Sequence, residues 1–293
     1  MTDLGRRSAT LVGFTAVLMW SLLALFTAAS GRIPPFQLAA LTFAIGGTIG
    51  AATWTVRKGA IASLRQRPEV WALGVGGLFG YHALYFMALR LAPPAEAALL
   101  NYLWPLLIVL FSALLPGERL KLHHLVGALL GLIGTGVLLA GSGGFALAQD
   151  HAPGLTAAFV AAFVWATYSV LSRRFDQVPT DAVAGFCLAT AMLAALCHFA
   201  FEETTWPASA AQWLAVVGLG IGPVGAAFYA WDYGVKRGDI RVLGAASYAA
   251  PVLSTLLLVA SGFAEPRASL ALAAALIAGG GLLAAKDMIL KPR

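Results

Sequence analysis

Long apolar runs separated by short polar breaks fill this chain, and each run has the length of a bilayer-spanning helix, about 20 residues. Spans are predicted near 9–29, 36–56, 70–89, 94–115 and 122–140, and again near 153–171, 181–200, 212–235, 240–260 and 269–289. Ten such helices use nearly the whole chain and leave no connection long enough for a soluble domain. An all-helical bundle satisfies the backbone polar groups of such segments in lipid. Continuous apolar runs exclude a β-barrel, whose strands alternate apolar and polar positions.

The two sets of five are copies. Trp20, Tyr85, Tyr102, Pro105 and Glu118 recur as Trp165, Tyr229, Tyr248, Pro251 and Glu265, at offsets of 145, 144, 146, 146 and 147. Residues 1–148 therefore form a first five-helix repeat and 149–293 a second. An odd number of spans per repeat inserts the second copy upside down, which is the pattern of an inverted-repeat transporter.

Composition agrees: 60% of residues are apolar and 11% charged, with mean hydropathy +0.82, against about 25% charged in soluble domains. The net charge of +6 would point to nucleic acid only on a water-exposed basic face, and here the basic residues sit between apolar runs. With the N-terminus inside, 16 of the 19 Lys and Arg fall in cytoplasmic positions: Arg6, Arg7, Arg57, Lys58, Arg65, Arg67, Arg119, Lys121, Arg173, Arg174, Lys236, Arg237, Arg241, Lys286, Lys291 and Arg293. Only Arg32, Arg90 and Arg267 fall outside. Basic residues near helix ends stay on the cytoplasmic side, so both termini are expected there. The first run is too long for a signal-peptide core, carries Trp20 at its middle and precedes nine more spans, so it reads as an uncleaved helix. Cys187 and Cys197 both fall in the seventh span, about 15 Å apart along its axis, too far to pair.

Glycines four apart, Gly46/Gly50, Gly76/Gly80, Gly127/Gly131 and Gly218/Gly222, read as close helix contacts. Candidate chemistry lies in polar and aromatic groups at mid-membrane depth, where an apolar residue would be the default. The third span offers Tyr81, His82 and Tyr85, with the two tyrosines one turn apart on one face. The fourth adds Asn101, Tyr102, Trp104 and Pro105, and the ninth adds Ser247, Tyr248 and Pro251 at the matching place. Each proline removes a backbone hydrogen bond to the carbonyl four residues earlier, so helix kinks are expected beside Asn101 and Ser247. Trp20 and Trp165 sit mid-span rather than at an interface, with Tyr168 one turn beyond Trp165, and read as walls of a pocket for a flat apolar ligand. A buried histidine bonded to a neighbouring helix, a packing kink and a core aromatic are the structural alternatives for these positions.

Carboxylates within spans are few. Asp232 precedes Lys236 by four residues and reads as a local ion pair; Glu96 opens the fourth span, where its charge suits the helix dipole; Glu118 and Glu265 read as loop or capping residues. No acid cluster announces proton or sodium coupling, and no residue set calls for a metal or cofactor.

These features resemble the ten-helix, EamA-type branch of the drug/metabolite transporter superfamily, through the duplicated halves, Trp20 and Trp165, and the segments Tyr102 to Pro105 and Tyr248 to Pro251. The runs Gly80 to Tyr85 and Asn101 to Pro105 look like those of the YddG-type exporters of aromatic amino acids. The resemblance implies a bacterial inner-membrane exporter of aromatic and other neutral amino acids, working by alternating access between two rocking halves. Its central cavity would be walled by helices 1, 3, 4, 6, 8 and 9. It adds Tyr229 and Trp231 to the candidate path, and it implies that rings stack the substrate side chain while His82, Asn101 and tyrosine hydroxyls hold its ammonium and carboxylate. Efflux of cationic drugs is the rival reading; in the superfamily's smaller relatives it depends on a carboxylate in the first span, and residues 9–29 contain none. Nucleotide-sugar transport lacks intramembrane Lys or Arg to meet phosphates. An intramembrane enzyme would need a zinc motif, paired aspartates or a nucleophile and base, and none is present. Small-residue faces in the fifth and tenth spans serve a dimer or a single chain equally, leaving a monomer open.

Overall fold

The computed structural model describes residues 3–57, 59–140, 151–262, 265 and 268–290. Lys58, Arg267, Lys291 and Arg293 of the charge count, and the repeat boundary at 148/149, lie outside the described residues. The described chain is all helical. We label its main helices α1 (Asp3–Ser21 continued by Leu23–Ala29), α2 (Pro35–Ala52), α3 (Pro68–Val75, a π-helical turn Gly76–Gly80, then Tyr81–Leu91), α4 (Pro94–Asn101 and Trp104–Ser112) and α5 (Leu122–Ala140). The second set is α6 (Ala152–Ser172), α7 (Ala182–Phe201), α8 (Ala210–Ile221, a π-helical turn Gly222–Ala226, then Ala227–Arg237), α9 (Ile240–Ala246 and Ala249–Ala260) and α10 (Ala268–Ala284). Among the described residues seven helical segments are long and apolar enough to cross a membrane, while α4, α5 and α10 supply shorter apolar ones.

Local sequence sets these boundaries. Proline opens α2, α3 and α4, where its missing N–H is not needed. Ser209 accepts a hydrogen bond from the Gln212 N–H at the start of α8, and Asp239 accepts from the N–H groups of Arg241 and Val242 at the start of α9, satisfying donors that a helix start leaves free.

The interruptions obey the repeat. The π turns at 76–80 and 222–226 are 146 residues apart, and α4 breaks at Tyr102 and Leu103 as α9 breaks at Ser247 and Tyr248. The breaks fall just before Pro105 and Pro251, where kinks were expected. Of the glycine pairs, Gly46 meets Gly225 and Gly127 meets Gly280 at close backbone approach. Gly76 and Gly222 have no neighbour within 4 Å, however, and belong to the π turns instead of helix contacts. In α3 the tight positions are Gly74 and Gly77, where a Cβ would overlap the rings of Phe186 and Tyr168.

Packing interleaves the two sequence halves. Helix α1 runs along α8, where Gly13 and Gly234 face each other, and α6 runs along α3; α2 pairs with α7 and α5 with α10. The centre thus holds two three-helix groups related by the repeat, α3/α4/α6 and α1/α8/α9, each borrowing the first helix of the other half. At one end the groups touch, with the 104–112 part of α4 packed on the 240–246 part of α9 around Gly244. At the other end, 94–101 packs on α6 and 249–260 on α1, and a cavity lies between them. Cys187 and Cys197 are both free thiols.

Candidate functional site

A cavity of about 440 Å³ opens between the two groups, a size suited to a small organic ligand. Its lining includes Trp20, Tyr81, His82, Tyr85, Asn101, Tyr102, Trp104 and Trp165, eight of the positions read from the sequence. Phe43, Phe86, Phe228, Thr42 and Ser254 also line it. These were missed because a lone Phe or Thr in an apolar run carries no signal of its own; Phe228 lies beside Tyr229, and Ser254 one turn after Pro251. Among the described lining residues none is Lys, Arg, Asp or Glu.

The π turns present backbone acceptors to cavity side chains. The His82 Nδ1 lies 2.7 Å from the Leu78 carbonyl, so in the neutral ring Nδ1–H donates and Nε2 is left as an acceptor. Trp20 Nε1 donates to the Pro223 carbonyl at 3.1 Å. Each turn thereby orients one cavity side chain, in keeping with the frequency of π-bulges at functional sites. Asn101 donates Nδ2–H to the Tyr81 hydroxyl at 3.0 Å, while its Oδ1 is buried without a hydrogen bond. An amide at the cavity wall with a spare acceptor can take an ammonium or amide N–H from a ligand. The rings of Tyr81 and Tyr85 stack 6.0 Å apart, and Phe43 stacks on Phe228 at 5.4 Å.

Four tryptophans close the bottom. Trp20, Trp104, Trp165 and Trp231, from α1, α4, α6 and α8, are in mutual contact in all six pairings, with centroids 5.1–6.4 Å apart and mostly edge-to-face. Such pairs add about 0.5–1.5 kcal/mol each beyond burial. Trp231 is fully buried beneath the other three and donates to Ser169 Oγ at 3.0 Å. It is plug rather than lining.

Four other sequence candidates do not line the cavity either. Tyr168 is buried against Gly77 below Trp165; Tyr229 donates its hydroxyl to the Gly46 carbonyl at 3.2 Å, tying α8 to α2. Ser247 donates back to the Leu243 carbonyl at 2.7 Å, and Tyr248 is fully buried against Gly131 of α5. All five are on the closed side of the tryptophans or at the break of α9. Asp232 and Lys236 form the expected ion pair, 2.8 Å apart and buried, with Thr180 donating to Asp232 and Lys236 donating to the Val178 carbonyl.

Glu118 stands in a loop, as read, and its partners add what the sequence did not show: its side chain is 6% exposed and meets three guanidiniums, Arg6 at 2.9 Å, Arg173 at 2.7 Å and Arg241 at 3.2 Å. Asp239 joins them, 2.8 Å from Arg241 and 3.3 Å from Arg6. Burial alone would raise the Asp239 carboxyl, but the hydrogen bonds and charge of Arg241, with Arg6, carry it down to about 2. Glu265, its counterpart in the repeat, is exposed. Among the described residues the clamp is found at one end, beyond the tryptophan plug.

The repeat has a counterpart in a known family. The EamA-like transporter family matches residues 7–140 and again residues 152–286. The chain belongs to this family. Among EamA-like relatives, a protein of Ancylobacter novellus named aromatic amino acid exporter YddG is 62% identical over 282 residues, covering 96% of this chain and 98% of the relative. The Escherichia coli protein of the same name is 26% identical, covering 95% of this chain and 97% of the relative. A solved crystal structure 62% identical in sequence superposes with a TM-score of 0.92 over 97% of this chain and 99% of its own. As an EamA-like protein this is a multi-pass membrane transporter and not an enzyme.

Proposed function

We propose that this transporter exports aromatic and other neutral amino acids across the bacterial inner membrane, with ten spans and both termini cytoplasmic. The observation that carries this reading is the cavity itself: lined by aromatic and aliphatic side chains, without Lys, Arg, Asp or Glu among its described lining residues, and supplied with His82, Asn101, tyrosine hydroxyls, Thr27, Thr42 and Ser254 as its polar groups. A zwitterion with an apolar ring suits it, the ring against Trp20, Tyr81 and Trp165. Its ammonium would donate to Asn101 Oδ1 and His82 Nε2, and its carboxylate would accept from tyrosine hydroxyls. The printed name of the 62% relative points the same way.

The excess of basic residues orients the clamped end to the cytoplasm, so this conformation is open outward. Alternating access exchanges the roles of the repeats: the clamp opens, the outer halves of α4 and α9 close, and Tyr168, Tyr229, Trp231, Ser247 and Tyr248 take their turn along the path. Cation efflux is disfavoured by the lack of a carboxylate among the described lining residues. Counterflow of labelled phenylalanine in liposomes tests the reading, against unlabelled amino acids, a cationic dye and a nucleotide sugar. Competition by aromatic and neutral amino acids alone is expected; exchange of the dye without amino-acid competition would overturn it.

A further inference from the structure

The cavity offers a substrate carboxylate only neutral donors, whereas the densest cationic site on the path lies at its clamped end. There the charges are divided between the two helix groups. Glu118 follows α4 and Arg173 ends just beyond α6, so both belong to the α3/α4/α6 group. Arg6 of α1 and Asp239 and Arg241 at the start of α9 belong to the other. Only the contacts of Glu118 with Arg6 and Arg241 among these ion pairs cross between the groups. If the groups separate, Glu118 leaves with Arg173, and the bonds from Arg173 Nη1 to the carbonyls of Val235 and Gly238 in the α1/α8/α9 group, 2.9 and 2.7 Å long, break as the clamp opens. Asp239 stays with Arg6 and Arg241.

That division leaves two guanidiniums sharing one carboxylate, a surplus positive charge at the newly opened mouth. The vacated position, between Arg6 Nη2 and Arg241 Nη2, is one that a carboxylate occupies in the closed state, and paired guanidiniums favour a carboxylate through charge-assisted hydrogen bonds. We propose that Arg6 and Arg241 form a cytoplasmic entry site for the carboxylate of the substrate amino acid, filled by the Glu118 side chain whenever the gate is shut. Glu118 is thus both latch and internal competitor: substrate arrival and gate closure are alternatives at one site. From there the path leads about 12 Å along α6, the eight-residue rise from Arg173 to Trp165, to the tryptophan plug. The inference rests on the export reading and its orientation.

Full-length protein in inside-out membrane vesicles, which present the cytoplasmic face, tests it by uptake of labelled phenylalanine. Arg241→Gln should raise KM at this face about tenfold, and Arg241→Lys should restore part of it; KM measured from the outer face, in right-side-out vesicles, should change far less. Glu118→Gln should move in the opposite direction and lower the cytoplasmic KM severalfold; a purely structural latch, weakened alike by either change, would lower it in the arginine variants too. Should Arg241→Gln fail to fold, Arg6→Gln and Glu118→Gln carry the same comparison. A higher cytoplasmic KM in Glu118→Gln, or equal changes at both faces in the arginine variants, would overturn the entry site. Absence of phenylalanine uptake by the unaltered protein, with correct insertion, would instead overturn the export reading, and the entry site with it.

Discussion

At the scale of single residues, the side chains with unused hydrogen-bonding capacity carry the chemistry. Asn101 is held by Tyr81 and keeps one acceptor spare. Asn101→Leu keeps the volume and removes that acceptor, which is worth about 1 kcal/mol, so KM for phenylalanine should rise several-fold with expression unchanged. An unchanged KM would remove Asn101 from the binding set. Asp239 makes a pH-dependent contribution of definite sign. Its carboxyl is lowered from 3.8 to about 2, so its stabilisation, about 2 kcal/mol, is complete above the unfolded value and fades as pH falls from about 4 through 2. Thermal unfolding in detergent should therefore show Asp239→Asn destabilised equally at pH 7 and pH 5. Sequence reading found eight cavity residues because polar and aromatic groups at mid-span depth stand out against an apolar background. It did not find the partners of Glu118, because a loop carboxylate just past a helix looks the same whether it meets water or three arginines drawn from positions 6, 173 and 241.

At the scale of elements, α3 and α8 are defined by their π turns, which no periodicity in Gly76–Gly80 or Gly222–Ala226 announces: glycine runs read equally well as packing faces. The two adjacent glycines of α3 separate these roles. Gly77→Ala places a methyl into the Tyr168 ring and should destabilise by roughly 1–3 kcal/mol, the usual penalty for overpacking. Gly76→Ala meets nothing within 4 Å and should be neutral or slightly stabilising, since alanine is the better helix former. Unfolding midpoints of the two variants check this, and equal losses would contradict the close contact of α3 with α6. Helix positions were legible to a few residues because length and apolarity fix them. The exchange of α1 and α6 between halves was not legible, since it depends on which small-residue faces meet across the bundle.

At the scale of the whole molecule, the inversion proposed for the repeats accounts for matching residues that are not in matching surroundings. Tyr85 lines the cavity, whereas its counterpart Tyr229 does not and donates to the Gly46 carbonyl, as expected if α8 runs opposite to α3. The same holds for Tyr102, which lines the cavity, and Tyr248, which does not. Sequence symmetry identifies both members of each pair and is silent about which one a single conformation exposes. The account therefore predicts opposite accessibility at two points of one path. In a background lacking Cys197, Ser254→Cys lines the open cavity and Ser169→Cys lies buried beneath Trp231. The most direct measurement is the labelling rate of each by a membrane-impermeant maleimide, applied from the face each opens to, with and without phenylalanine. Rates that move in opposite directions when substrate is added are the predicted result; rates that rise or fall together would contradict alternating access through this cavity.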